Sequence, residues 1–286
     1  MIYIEKRKIE HISRLVHEYS GIVVERVTTR QVEKKIADQM QHFKVNKVDD
    51  YIHILETCGH NPLPMDDLIA DLTVSESYFF RNPGQFAYML EVLLPEFFAR
   101  HGGRFPCRIW SAGCSRGEEA YSIAMLVKHY QNKFPEAKFN INAGDINSRN
   151  LQMAREAVFS SRSLRDKLSE FEERLGFLPG DKDSDGNCTI SQDLRQMVEF
   201  QRLNLKNIQS LKCLTGSDII FCRNVLIYFD DSLRSRLFEE FFRYLNPGGV
   251  VFLGESECIP AGNYGFETIN HNNSYAYRKP VAKQGK

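Results

Sequence analysis

The 286-residue chain lacks an excess of charge of either sign, with 37 Lys+Arg against 37 Asp+Glu. That balance counts against a general nucleic-acid binder, which carries a basic footprint. Long apolar runs are absent, and nothing approaches the roughly 20 residues a membrane span needs. The opening Met1–Lys8 has no apolar core of the kind a signal peptide requires. The seven cysteines (Cys58, Cys107, Cys114, Cys188, Cys213, Cys222 and Cys258) are odd in number, scattered, and form no C-x-x-C pair. The plain reading is free thiols in a reducing compartment rather than a disulfide framework. The eight histidines do not cluster with them at ligand spacing, so no metal site is expected. No Ser/His/Asp or Cys/His arrangement of a nucleophilic enzyme stands out, and repeats and low-complexity tracts are missing. The expected protein is cytoplasmic, with no nucleic acid and no membrane insertion. What is present, 42% hydrophobic and 12% aromatic residues, suffices for a packed core in one large domain or two modest ones.

Apolar periodicity divides the chain. Ile9, Ile12, Leu15 and Val16, then Val32, Ile36, Met40 and Phe43, then Tyr51, Ile52 and Leu55 recur at helical spacing. Asn61-Pro62-Leu63-Pro64 breaks the series, and Asp66 and Asp67 restart a helix. Phe86–Arg100 reads as one amphipathic helix. Strands and helices then alternate: strands at 108–111, 139–146, 218–222 and 250–254, with helices at about 117–130, 148–158 and 232–245. Such alternation predicts a mainly parallel sheet covered on both faces, with ligands bound at the strand C-termini. Residues 266–269 and 274–277 read as a closing hairpin. Between about 160 and 204 the alternation is interrupted by a charged helix at 163–175 and short strands, a small insertion. The fold class is therefore α/β, with an N-terminal all-helical domain and linker over residues 1–82 and a sheet domain over 83–280.

The densest motif is Trp110-Ser111-Ala112-Gly113-Cys114-Ser115-Arg116-Gly117-Glu118-Glu119. An apolar strand enters a glycine-bearing turn that opens a helix on two carboxylates. Glycines let the backbone approach a ligand closely. The acids would repel the phosphate that a helix start otherwise attracts, and would welcome a cation. S-adenosylmethionine (SAM) carries a sulfonium and an ammonium. Glu118 is the acid expected to face it; alternatively it merely complements the helix dipole.

Three further elements carry polar groups to the same edge. Asp145 ends the second strand, where a carboxylate can accept both hydroxyls of a ribose or cap the next helix. Arg223 and Asn224 follow the buried strand Asp218–Cys222, and Tyr228 lies on the loop after them. Ser75, Ser77 and Arg81, in the joint between the domains, could hold the amino-acid end of SAM, Arg81 through its planar fork. The acidic loop Asp181–Asn187 matches the opening of a calcium-binding EF-hand, but its twelfth position is Gln192 rather than Glu. A solvated turn is expected there.

Ser75–Arg81, Trp110–Ser122, Asp145–Asn147, Asn204-Leu205 and Phe221–Phe229, in this order, resemble the CheR-type chemotaxis receptor glutamate methyltransferases. The resemblance covers nearly the whole chain. It implies a helical domain followed by a Rossmann-like SAM methyltransferase domain carrying a small antiparallel β insertion. It implies SAM as cofactor, with S-adenosylhomocysteine as product, and a monomer acting on the cytoplasmic region of methyl-accepting receptors. Its cofactor contacts fall on Ser75, Ser77, Arg81, Glu118, Asp145, Asn204, Leu205, Arg223 and Asn224. Tyr228 matches a family tyrosine near the transferred methyl and is the catalytic candidate. Arg30, Lys34 and Lys35 are the candidate receptor-docking residues. Arg116 departs from a frequent Thr of the family. Two other readings stay open: a signalling module that binds SAM or its product without turnover, and a SAM methyltransferase with another substrate.

Overall fold

The computed structural model describes residues 4–24, 29–57, 62–73, 76–164, 180–260, 262 and 264–281. Four helices come first: α1 (Lys6–Ser20), α2 (Thr29–His42), α3 (Val48–Thr57) and α4 (Leu63–Leu72). The first three are helical for the reason their apolar spacing implies. Ile9, Ile12 and Val16 of α1, Val32, Ile36 and Met40 of α2, and Tyr51 and Leu55 of α3 are buried one turn apart. Gly21, at φ 79°, ends α1 in the left-handed conformation that an L side chain avoids.

The predicted helix over Phe86–Arg100 is interrupted. It runs as α5 (Pro83–Tyr88), a wide π turn over Met89–Leu93, and α6 (Leu94–His101). Pro95 has no N–H to give and its ring crowds the carbonyl four residues back, so the turn before it widens.

The sheet strands are β1 (Cys107–Ala112), β2 (Phe139–Asp145), β6 (Val198–Arg202), β7 (Ser217–Cys222), β8 (Leu245–Leu253), β9 (Glu267–His271) and β10 (Ser274–Arg278). Their order is β6-β2-β1-β7-β8-β10-β9. The first five run parallel and the last two close the edge as an antiparallel hairpin. The hairpin turns on Asn272 and Asn273, both at positive φ, as a two-residue turn between twisted strands requires. β8 starts at Leu245, five residues before its predicted start. Its first residue pairs with Ser217, and an irregularity in register absorbs the Pro247-Gly248-Gly249 turn signal.

A three-stranded antiparallel sheet joins β3 (Val158–Phe159), β5 (Cys188–Ile190) and β4 (Gly180–Lys182) in the order β3-β5-β4. Val198–Arg202, read as part of the insertion, is instead the edge strand of the main sheet beside β2. Most of the charged helix predicted at 163–175 lies outside the described residues. In the acidic loop, the Asp183 carboxylate accepts the backbone N–H of Asp185 and Asn187 and the Asn187 side-chain amide, each at 2.9 Å.

The two sheet faces have separate apolar cores. One joins Ile109, Phe221 and Phe252 to Phe79, Phe86, Phe97, Tyr121 and Leu126, from the linker, α5, α6 and the helix after β1, α7 (Glu118–Lys133). The other joins Trp110, Ile220 and Val251 to the apolar stripes of α1–α4 and of the last helix, α9 (Asp231–Tyr244). The helical region is thus packed against the sheet, sharing its core. Polar contacts reinforce the seam. Asp66, 1% exposed, accepts hydrogen bonds from Tyr19 (3.0 Å), Arg202 (2.9 Å) and Ser148 (3.0 Å). Ser148 opens α8 (Ser148–Glu156). Neighbouring Asp67 pairs with Arg149 at 2.9 Å. The two acids predicted only to restart a helix therefore tie it to the sheet domain. Burying charges with partners is tolerable, whereas removing one partner strands the other.

Candidate active site

The strand order reverses at β1, whose neighbours β2 and β7 lead away in opposite directions. A crevice opens where such a reversal occurs. Here a cleft of about 300 Å³ lies at the strand C-termini, with one wall from the linker and the helical region. It is lined by Ser77, Arg81, Asp145, Asn204, Leu205, Arg223, Asn224 and Tyr228. Eight of the ten residues expected at the site are therefore together. Ser75 lies outside the described residues.

Glu118 is a correction. It is fully buried and does not line the cleft. One of its carboxylate oxygens accepts Arg116 Nη2 and Ser163 Oγ, both at 3.2 Å. This explains Arg116: it supplies the countercharge that a buried carboxylate needs. The next residue, Glu119, faces the cleft instead. Successive helical residues are about 100° apart, so one position decides which acid a ligand meets.

The loop between β1 and α7 is drawn tight. Gly113 and Cys114 both donate to the Gly144 carbonyl, at 2.7 and 2.9 Å. Gly113, at φ 87°, has no room for a side chain, since a Cβ would stand 2.4 Å from Val225. Ser115 donates its N–H to Asp145 Oδ2 at 2.8 Å, and Asn147 donates its N–H to Asp145 Oδ1 at 2.9 Å. Asp145 is thereby fixed at the end of β2. Burial pushes its carboxyl up to about 6, against the pull of those backbone donors.

At the other end stands an ion pair. Arg223, its side chain 2% exposed, reaches Glu119 Oε2 at 3.2 Å. Glu119 Oε1 accepts Ser111 Oγ at 2.6 Å. Burial raises the Glu119 carboxyl, opposed by Arg223 and Ser111, and burial lowers the Arg223 guanidinium, opposed by Glu119. Arg223 also donates to the Arg81 carbonyl and the Asn82 side chain, and lies over the Phe86 ring at 5.3 Å. It anchors the linker to the sheet as well as lining the cleft.

Arg81 donates to the Glu76 carbonyl at 2.7 Å and covers the Tyr78 ring at 5.7 Å. Asn204 is held at both ends: its amide donates to the Tyr19 carbonyl (2.8 Å) and its oxygen accepts Lys206 N–H (3.0 Å). Tyr228 closes a single 3₁₀ turn, Leu226–Tyr228, and its carbonyl accepts Val23 N–H at 2.8 Å. The helical region thus touches the catalytic candidate directly. The three docking candidates differ from one another. Lys34 is exposed on α2, Lys35 reaches Asp71 of α4 at 3.4 Å, and the Arg30 side chain lies outside the described residues.

The cleft suits SAM on its own geometry. Asp145 and Glu119 both line it, and Gly113 lets the turn between them close tightly. Three buried polar atoms of its wall, Ser115 Oγ, Arg223 Nε and Asn224 Oδ1, have no hydrogen-bond partner. The sequence reading passed over Glu119, which lay inside a motif, and Asn82, which lay outside every motif.

Comparisons with known proteins agree. A family model described as "CheR methyltransferase, SAM binding domain" matches residues 75–275. The chain is 33% identical over 266 residues to "Chemotaxis protein methyltransferase 2" of Vibrio cholerae serotype O1, covering 92% of this chain and 90% of that one. It is 30% identical to "Chemotaxis protein methyltransferase 1" of the same organism, over 97% of this chain and 98% of that one. It is 30% identical to "Chemotaxis protein methyltransferase" of Escherichia coli K12, over 86% and 82%.

Proposed function

Since the chain belongs to the CheR methyltransferase family, we propose that it moves the methyl group of SAM to glutamate side-chain carboxylates of methyl-accepting chemotaxis receptors. The products are glutamate methyl esters and S-adenosylhomocysteine. The observation that carries this reading is the cleft itself, with Asp145 and the Glu119–Arg223 pair at its ends and Tyr228 on its wall. Asp145 accepts ribose hydroxyls. Glu119, taking the role expected of Glu118, meets the ammonium end. Ser77, Arg81, Asn204, Leu205, Arg223 and Asn224 complete the wall, and Ser75 is assigned to it by the resemblance alone.

Bound SAM supplies a methyl group already activated by its sulfonium. The accepting glutamate, with an ordinary pKa of about 4.3, is ionised at neutral pH and needs no general base. The protein's work is alignment and exclusion of water. Tyr228 serves as a hydrogen-bonding orienter; a cation there would hold the carboxylate too well in its ground state. Lys34 presents its charge to solvent, and with Arg30 and Lys35 it is assigned to an acidic receptor surface in the cytoplasm. The enzyme acts as a monomer.

Incubation with methyl-labelled SAM and receptor fragments, followed by mass spectrometry, tests the reading. One added methyl on glutamate, released by mild base, is the expected result. SAM binding by calorimetry with no transfer to any receptor would point to a binding module instead. Tyr228→Phe is expected to lower turnover with SAM affinity kept; unchanged turnover and receptor affinity would remove Tyr228 from the mechanism.

A further inference from the structure

Glu257 lies outside every motif of the sequence, beyond β8, yet it is wired into the cleft. Its Oε2 accepts the N–H of Asn224 at 2.8 Å and of Gly254 at 2.7 Å, and its Oε1 accepts the N–H of Ile227 at 3.1 Å. One carboxylate thus satisfies three backbone donors from two segments, the end of β8 and the loop after β7. Charge-assisted bonds of this kind are roughly twice as strong as neutral ones.

Two features show that the arrangement is specific. Asn224 sits at φ 58°, in the left-handed region, and so needs its surroundings to hold it there. Gly254 is packed so closely that a Cβ would lie 2.7 Å from Asn224 Nδ2, 2.8 Å from Glu257 Oε2 and 2.9 Å from Asn224 N. The carboxylate, the glycine and the strained asparagine fit only together. Asn224 then turns its side chain to the cleft wall, and Ile227 leads directly into Tyr228. The Glu257 charge also reaches the pair at the cleft's end, adding a little to the burial that raises the Glu119 carboxyl and opposing the burial that lowers the Arg223 guanidinium.

We propose that Glu257 is a positioning residue for methyl transfer, holding the Asn224–Tyr228 loop so that its first residue meets SAM and its last meets the acceptor. This rests on the function proposed above. Glu257 itself touches no reacting atom. Glu257→Gln keeps the shape but turns an amide toward one of the N–H donors, loosening the loop without emptying the site.

The test uses the full chain. Hydrogen exchange of the ligand-free protein is measured first, with thermal melting alongside. SAM affinity by calorimetry and kcat on receptor fragments follow. The expected result for Glu257→Gln is faster exchange confined to residues 224–228 and 254. With it comes a kcat lowered about tenfold or more and a smaller loss of SAM affinity, since a displacement near 1 Å can cost a hundredfold in rate. Glu257→Asp, which keeps the charge on a shorter stem, should restore part of the kcat. It also stands in for the first variant if that one does not fold. Wild-type exchange and wild-type kcat would overturn the proposal. So would exchange accelerated evenly over the sheet with kcat and affinity falling together, the mark of general destabilisation. A wild-type protein that binds no SAM or methylates no receptor would sink the proposed function, while the exchange pattern would still decide whether Glu257 holds the loop.

Discussion

The two ends of the cleft hold their carboxylates by opposite means. Asp145 is held by backbone: the N–H groups of Ser115 and Asn147 come from its own turn and from the loop beside it. Glu119 is held by side chains: Ser111 from β1, and Arg223, which itself reaches into the linker at Arg81 and Asn82. A backbone cradle survives many substitutions, because every residue but proline brings an N–H. A side-chain network fails when one member is removed. The Asp145 end should therefore respond to pH and ligand, and the Glu119 end should respond to mutation.

Arg223→Ala is the sharpest way to break this contrast. It leaves Glu119 without its cation and the linker without its anchor, and the expected loss is about 3–5 kcal/mol of folding stability. Chemical denaturation measures it; a loss within experimental error of zero would show that the ion pair does not hold the site together. Glu119→Gln should weaken SAM binding by about tenfold to a hundredfold, the weight of a bond to a charged group. Glu118→Gln should leave SAM affinity unchanged. Calorimetry on the two variants separates neighbours that sequence alone could not, and equal losses would return Glu118 to the cleft.

The smallest effect is at Asp145. Its carboxyl is raised from 3.8 to about 6, so the folded state binds this proton more tightly than the unfolded state. Its contribution to stability is greatest below pH 3.8 and is lost as pH rises toward 6. Cofactor affinity runs the other way, since the ionised form accepts the hydroxyls. SAM binding should weaken about tenfold per pH unit below about 6. Asp145→Asn should bind more weakly at neutral pH and show no such slope; a slope that persists belongs to another group.

The same contrast explains what could be read from the sequence. Asp145 and Arg223 stand where strands end, and strand ends are visible as apolar runs meeting polar residues. The parallel sheet, the closing hairpin and the helical stripes followed from periodicity for the same reason. Glu118 and Glu119 are adjacent, and which one faces inward depends on how α7 docks, a property of packing. Asp66 and Asp67 looked like helix-start acids because their partners, Tyr19, Arg202, Ser148 and Arg149, come together only in the folded chain. Glu257 lies 33 residues from Asn224, with β8 and α9 between them, and no local pattern marks it. Pro95 was in plain view, and the π turn before it could have been expected.

The shared core behind Trp110, Ile220 and Val251 has a consequence for how the molecule can be divided. The match to the family model begins at residue 75, which invites the view that the preceding helices are an appendage. Yet Val16, Ile36, Met40, Tyr51 and Leu68 occupy the same apolar cluster as that sheet face. A fragment starting near residue 75 would carry a bare hydrophobic face into water. It should associate with itself rather than remain dispersed, and the intact chain should unfold in one cooperative transition.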